Sequence, residues 1–177
     1  MLTFDIDDGQ LDKIAAEYAA TPKQVDLSRS RALKRTAATL RRLASTGLQT
    51  ELGLRNAKAL RRRLKEYKVG KGNNAFKLWF GANDLPVSAF KGRPQKVDGG
   101  IKFGDTMVHG AFFAKVGGKR KVMQRYGSKR WAIGEATLSV ADRMMIYLED
   151  EVFVDIDSIY MKHFLAEIRA RTILGVG

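Results

Sequence analysis

The side chains of this sequence that could do chemistry are histidines and carboxylates, because its 177 residues include no cysteine. Disulfides, thiolate zinc sites and cysteine nucleophiles are therefore excluded. The two histidines, His109 and His163, lie far apart, and neither has a serine or carboxylate at a known catalytic spacing. We expect His109 to hydrogen-bond a turn at a strand end and His163 to pack beside an apolar helical stripe.

An acidic cluster near the C-terminus is a candidate metal site. Paired carboxylates hold the magnesium ions of two-metal nucleases, and the cluster consists of Glu149, Asp150, Glu151, Asp155 and Asp157. Most of these residues fall on successive turns of a predicted helix, where charged side chains ordinarily face water. We predict neither a metal ion nor another cofactor.

The tract from Gly117 to Lys121, Gly-Gly-Lys-Arg-Lys, is a candidate phosphate contact through its side chains and turn amides. It lacks the strand-to-helix context and the Ser or Thr of a phosphate-binding loop, so nucleotide hydrolysis is not indicated. A solvated hairpin tip is the alternative interpretation. We predict no catalytic residue and expect a protein that is not an enzyme.

Positive charge is concentrated in the middle of the chain. The net charge of the chain is +13, yet residues 1–22 and residues 134–177 each have a net charge of −4. Clustered cations attract polyanions and bind DNA phosphates whatever the base sequence. Acidic ends could equally neutralise basic surfaces on neighbouring subunits, so both interpretations stay open. They apply to the basic candidates Arg35, Arg41, Arg42, Arg55, Arg61, Arg62, Arg63, Lys119, Arg120, Lys121 and Arg125.

Four aromatic residues lie in or near the basic stretches: Trp79, Phe112, Phe113 and Trp131. We interpret them as anchors of the core or of an interface. Aromatic rings beside cations also stack nucleic-acid bases, which is the alternative.

The N-terminal third predicts helices. Apolar residues share one face from Gln10 to Ala20, and Thr21, Pro22 and Gln24 form a capping-box start for a second helix that ends at Gly47 or near Gly53. The apolar stripe of this helix is Leu33, Ala37, Leu40, Ala44 and Leu48. A further basic helix is predicted over residues 54–67.

The middle of the chain predicts a small antiparallel sheet. A linker at residues 68–74 precedes short alternating or β-branched runs that begin at Phe76 and are separated by glycine-rich turns. Gly117-Gly118 indicates a two-residue hairpin, because glycine adopts positive φ without strain. That loop would place Phe113 opposite Val122 and Phe112 opposite Met123. Gly99-Gly100 indicates a second hairpin.

A long amphipathic helix is predicted to begin at a capping-box-like Ser139 and to run for about thirty residues, with an apolar stripe from Met145 to Ile168. We therefore predict an α+β fold with basic N-terminal helices, a small sheet with hairpins, and a C-terminal helix packed on the sheet. The whole chain is predicted to be one domain, residues 1–68 forming a helical arm and residues 69–177 the core.

Several short runs, in order, resemble the minor tail protein Z family of tailed bacteriophages. They are the runs Ala32 to Ala37, Asn83 to Val87, Gly110 to Phe112 and Val122 to Arg125. The likeness covers roughly residues 25–170. His109 departs from it, since proline is expected before Gly110, and the acidic segment 149–157 is less basic than is usual in the family.

The resemblance implies a structural protein for tail completion and head-tail joining, located in the tail or neck near the genome path. It also implies structural roles for Asp84, Leu85, Pro86, Gly110, Phe112, Met123 and Gln124. Expected partners are tail-terminator and head-completion proteins, with a homo-oligomeric ring and unspecific DNA contact. We expect no membrane association, synthesis in the host cytoplasm, and incorporation into the virion. The alternatives are a sequence-independent nucleic-acid-binding protein outside the virion and a metal-dependent nuclease.

Overall fold

The computed structural model describes residues 8–68 and 76–175, and its fold is α+β, as predicted. Its α-helices are α1 (Asp8–Glu17), α2 (Pro22–Glu51), α3 (Ala141–Tyr147) and α4 (Ile156–Thr172). Its strands are β1 (Leu64–Lys68), β2 (Phe76–Phe80), β3 (Leu85–Pro86), β4 (Gln95–Val97), β5 (Gly100–Phe103), β6 (Thr106–His109), β7 (Phe112–Val116), β8 (Lys119–Arg125), β9 (Ile133–Glu135) and β10 (Thr137–Leu138). Most of the predicted linker, residues 69–74, lies outside the described residues. No described helix is long and apolar enough to cross a membrane.

The chain forms two compact units, each assembled from segments that are distant in sequence. The first unit consists of residues 1–44, 64–79 and 149–177, and it contains the β1–β2 pair together with α1 and α4. The second unit consists of residues 45–63 and 80–148. Helix α2 contributes to both units.

The core of the first unit joins α1, the first part of α2, and α4. Its buried members are Leu11, Ala32, Tyr160, Phe164 and Ile168. The partly buried Ile14 and Tyr18 pack against them, so the predicted apolar face of the first helix is confirmed. Burial of each large apolar side chain contributes roughly 1.5–3 kcal/mol to stability.

Both ends of α2 follow from local sequence. Thr21 and Gln24 form the predicted capping box: the Thr21 amide donates to Gln24 Oε1 at 2.8 Å, and the Gln24 amide donates to Thr21 Oγ1 at 3.4 Å. At the other end Gly53 has a φ of +64°, and Leu54 N donates to Gln49 O at 2.8 Å. This pattern is a Schellman motif, so the helix ends near Gly53 and not at Gly47.

The core of the second unit lies among short antiparallel sheets. Val87, Ile101, Val108, Ala111, Val122 and Ala136 are its buried members. The sheets are β4-β5-β6, β7-β8-β9 and the β3–β10 pair. Both predicted hairpins are present, and Phe113 faces Val122 while Phe112 faces Met123, as the two-residue turn requires.

The predicted helix over residues 54–67 is wrong. A 3-10 turn at Ala57–Ala59 and strand β1 occupy this stretch, although Leu54, Leu60 and Leu64 are buried as expected. Cations at Lys58, Arg61, Arg62 and Lys65 would stand three or four residues apart on a helix and repel each other. The backbone instead pairs elsewhere, since Arg55 N donates to Ala89 O at 2.9 Å.

The C-terminal helix is interrupted where the sequence predicts one continuous element. A π-helical turn at Leu148–Val152 separates α3 from α4, and Met144, in place of Met145, is buried. The wider π turn changes the face that a regular helix would present. The N-cap is Val140, without a side-chain bond, so the predicted Ser139 cap is also wrong.

The side chain of Tyr147 lies against the backbone of Gly47 in α2, so a residue larger than glycine does not fit at this position. A Cβ added at Gly47 would come within 1.8 Å of Tyr147 Oη. We expect Gly47→Ala to lower the free energy of unfolding in the native background. In a Tyr147→Ala background the same change should raise it by about 0.5–1 kcal/mol, because alanine is the better helix former. Urea unfolding of the four proteins measures both effects; equal effects in both backgrounds would contradict this account.

Candidate functional site

Most of the net positive charge belongs to the second unit. Its segments carry 17 Lys and Arg against six Asp and Glu, a net +11, while the first unit carries 15 against 13, a net +2. The second unit is therefore the better candidate for contact with an anionic partner. Several of its cations are already used inside the fold.

Arg63 is a structural clamp. Its Nη2 donates to Asp84 O at 2.8 Å, and its Nη1 donates to the carbonyl oxygens of Gly81 and Asn83. The Arg63 carbonyl in turn accepts from Gly81 N at 2.8 Å. One guanidinium thus fixes the irregular chain that leads into β3.

Arg55 and Arg125 act in the same way. Arg55 Nε donates to Phe90 O at 2.7 Å and its Nη2 to Gly92 O at 3.3 Å. Arg125 Nη1 donates to Lys129 O at 3.1 Å and to Arg130 O at 3.0 Å. These two predicted interface cations hold loops in place, while their residues stay exposed.

Other candidates are exposed and make no side-chain bond within the described residues: Arg42, Arg61, Arg62 and Lys119. Arg41 is also exposed, but it interacts with another group of the chain and does not belong to this set. Arg120 lies 3.7 Å from the centroid of the Phe113 ring, and Lys121 pairs with Glu135 at 2.8 Å. The predicted candidates therefore divide into clamps, paired cations and unpaired cations.

The family-like runs of the second unit meet in one place. Val87, Ala111 and Val122, one from each run, are neighbours in the same core cluster. Leu85 is buried and pairs with Leu138, and Pro86 pairs with Thr137, whose Oγ1 lies 3.4 Å from Asp84 Oδ2. Gln124 Nε2 donates to His109 O at 3.1 Å, and Gly110, with a φ of +65°, donates to Gly99 O. Sequence order alone did not reveal this convergence.

The β7-β8-β9 sheet has two different faces, because side chains alternate along a strand. One face holds Phe113 and Val122 against the core. The other carries Phe112, Lys119, Lys121, Met123 and Arg125, by the same alternation and the pairing register. Phe112 and Val116 on this second face are 39% and 43% exposed.

Glu135 is the acidic residue of that face, and Lys121 neutralises it. Burial alone would raise the pKa of Glu135, but the hydrogen bonds from Lys121 and Ser88, with the Lys121 charge, lower it below its ordinary value. The carboxylate is therefore ionised and paired at neutral pH. Because Glu135 is paired with Lys121, it does not neutralise the charges of Lys119 and Arg125 on the same face.

The turn before β9 presents a tryptophan to solvent. Tyr126 N donates to Ala132 O at 2.7 Å and Tyr126 Oη donates to Glu135 O at 2.9 Å, so this turn is tied to the sheet at both ends. Trp131 lies in the turn with 81% of its surface exposed, and the Arg130 guanidinium is 5.2 Å from its ring centroid. Sequence reasoning missed Tyr126 and Arg130, which have no motif around them.

In the first unit, Arg35 belongs to a partly buried ionic triad. Arg35 Nη1 lies 2.7 Å from Glu167 Oε1, and Arg171 Nη1 lies 2.6 Å from Glu167 Oε2. The Arg171 and Glu167 side chains are only 3% and 8% exposed. Burial would raise the pKa of Glu167, but the bonds and charges of Arg171 and Arg35 lower it overall. Arg35 thus stabilises helix packing.

His163 is half-buried on α4, and its Nε2 lies 3.1 Å from Thr39 Oγ1. Burial, together with the charges of Arg35 and Lys162, lowers its pKa below the ordinary value. The acidic cluster at residues 149–157 does not assemble as a cation site: no three His, Asp or Glu side chains group suitably among residues 8–68 and 76–175. Glu149, Asp150 and Glu151 are exposed instead.

Comparison with known proteins adds no relative. No family model, curated protein or solved structure matches the chain.

The clamp role of Arg63 can be separated from its charge. We expect Arg63→Ala to lower the free energy of unfolding by roughly 1–2 kcal/mol, since the carbonyl oxygens of Gly81, Asn83 and Asp84 together lose a charged donor. Arg62→Ala removes the same charge at an exposed position and should change it by less than about 0.5 kcal/mol. Denaturant unfolding checks both, and equal losses would refute the clamp.

Stability should fall in two steps as the pH decreases. His163, with a lowered pKa, favours its neutral form in the folded state, so stability decreases below its ordinary pKa of 6.5. The lowered pKa of Glu167 makes its contribution complete above 4.5 and lost as the pH falls through the folded value.

Thermal unfolding between pH 3 and pH 8 measures these steps. His163→Gln should remove the first. Glu167→Gln should reduce stability at neutral pH by about 3 kcal/mol, because Arg171 is left buried without its counter-charge. An unchanged upper step in His163→Gln would show that another group causes it.

Proposed function

We propose that this chain is a structural protein of a tailed bacteriophage virion that completes the tail and joins it to the head. The observation that carries the proposal is the convergence of the family-like runs in the second unit. Residues 83–87, 110–112 and 122–125 supply Val87, Ala111 and Val122 to one core cluster. Runs scattered over forty positions have a common structural reason to occur together, which supports the resemblance to minor tail protein Z.

The charge distribution supports an assembly role. Arg61 and Arg62 are exposed on the unit that carries +11, and the acidic residues Glu149 to Glu151 are exposed on the other. Opposite charges on the two units suit contact between identical copies in a ring, and contact with tail-terminator and head-completion proteins. In such a neck, basic side chains would also lie near the genome path. The proposed location is the tail or neck of the virion.

A second candidate is a sequence-independent nucleic-acid-binding protein that acts outside a virion. The observation that favours it is the surface of the β7-β8-β9 sheet, where exposed aromatic rings lie among cations. The metal-dependent nuclease has no comparable support among the described residues.

Electron microscopy of particles tests the proposal. In a phage or prophage that encodes this chain, deletion of its gene should yield separate heads and tails, and the intact gene supplied in trans should restore joining. Arg61→Glu with Arg62→Glu should fold normally but restore joining at least tenfold less well. Arg63 is left intact because its replacement would disturb the fold.

The matched control is Lys91→Glu with Arg93→Glu, which reverses two exposed cations elsewhere on the same unit. This control should restore joining. Joined, infectious particles in the absence of the chain would overturn the proposal. Equal defects in both double variants would assign the effect to net charge and not to the surface around Arg61.

A further inference from the structure

The outward face of the β7-β8-β9 sheet has an unusual composition. We call it the aromatic-basic face and define it as Phe112, Val116, Lys119, Met123 and Arg125 together with the adjoining turn 129–131. Trp131 is 81% exposed, Val116 43% and Phe112 39%. Exposed apolar side chains that group on one face are typical of binding surfaces, whereas single scattered ones are not.

The backbone under this face is held rigidly. β8 pairs with β7 over five residue pairs and with β9 over three. Arg125 and Tyr126 fix the turn that carries Trp131 through bonds to Lys129 O, Arg130 O and Ala132 O. A ring held on an ordered scaffold loses little conformational entropy when it binds.

The charges of the face select an anionic ligand. Lys119, Arg125, Lys129 and Arg130 contribute four positive charges, and the carboxylate of Glu135 is already neutralised by Lys121. Phe112 shares a cross-strand row with Met123, and the row of Arg125 and Ile133 follows two residues along the strands, a step of roughly 7 Å. Phe112 and Arg125 therefore lie on one face within a distance that neighbouring nucleotides can cover.

Aromatic rings distinguish two forms of nucleic acid. In a double helix the base faces are stacked on each other and cannot meet a side chain, whereas unpaired bases stack on exposed rings in any sequence. A protein that used cations alone would prefer the denser charge of the duplex. The combination of Trp131, Phe112 and four cations favours unpaired bases.

We propose that the aromatic-basic face binds single-stranded nucleic acid, with bases stacked on Trp131 and Phe112 and phosphates paired with Lys119, Lys129 and Arg130, while Arg125 holds the turn and adds its charge to the face. This inference does not rest on the proposed function in assembly. Joining of heads and tails could fail its own test while this binding holds, and the reverse is also possible.

Fluorescence titration of the full chain tests the proposal. Trp79→Phe leaves Trp131 as the single tryptophan, since the chain has two. An oligothymidylate of about 15 nucleotides should quench its emission and bind more tightly than a duplex of equal length. Trp131→Ala, followed by fluorescence anisotropy of a labelled oligonucleotide, should weaken binding about tenfold. Lys119→Glu should reduce the slope of log affinity against log salt by about 0.7 or more.

A charge-matched control separates this face from the general field of the unit. Lys96 and Lys102 are exposed on the β4-β5-β6 sheet, and Lys96→Glu or Lys102→Glu should weaken binding less than Lys119→Glu. Circular dichroism should show that Trp131→Ala retains the fold, because the residue is exposed.

Three outcomes would overturn the proposal: equal affinity for duplex and single strand with no effect of Trp131→Ala, equal losses in the Lys119 and Lys96 variants, or no binding at low salt. Light scattering provides a further test. Self-association that Trp131→Ala abolishes, without quenching by the oligonucleotide, would make the face a contact between copies instead.

Discussion

Short strands leave many backbone carbonyl oxygens without a sheet partner, and much of this structure depends on arginine to satisfy them. A carbonyl oxygen outside a helix or sheet has no ladder partner and must find another donor, and the described strands are only two to seven residues long. Arg55 donates to Phe90 and Gly92, Arg63 to Asp84, and Arg125 to Lys129 and Arg130. Arg143 donates to the carbonyl of Glu51 at the end of α2. The guanidinium group suits this task because its donors form a planar fork and it is always charged.

This use of arginine changes how the net charge should be interpreted. Arg55, Arg63 and Arg125 stabilise loops, whereas Arg61, Arg62 and Lys119 have no such role among the described residues. A surface cation that is not required inside the fold is the better candidate for contact with a partner molecule. The charge that we propose for contact with a partner is therefore smaller than +13, and it lies around Arg61 and on the aromatic-basic face.

The first unit uses charge in another way. Glu167 lies between Arg35 and Arg171 at the packing surface of α2 and α4, with its pKa lowered by both. Such a buried pair adds little net stability compared with apolar packing, but it is costly to break. The pair also helps to fix the register of α2 against α4. Along the same two helices, Gln24 Nε2 donates to Arg171 O, and Thr39 Oγ1 lies within hydrogen-bond distance of His163 Nε2. A slip of one turn would separate every one of these partners.

The sequence by itself determined the features that depend on near neighbours. The capping box of Thr21 and Gln24, the apolar stripe of α2, and the register of Phe112 and Phe113 across Gly117-Gly118 all depend on residues within about fifteen positions of each other. Only the tertiary structure decided that residues 54–67 are not helical, that Gly47 lies under Tyr147, and that Arg63 is a clamp while Arg61 and Arg62 are not. The physical reason is distance along the chain: a carbonyl or ring twenty to a hundred residues away selects among side chains that look equivalent locally.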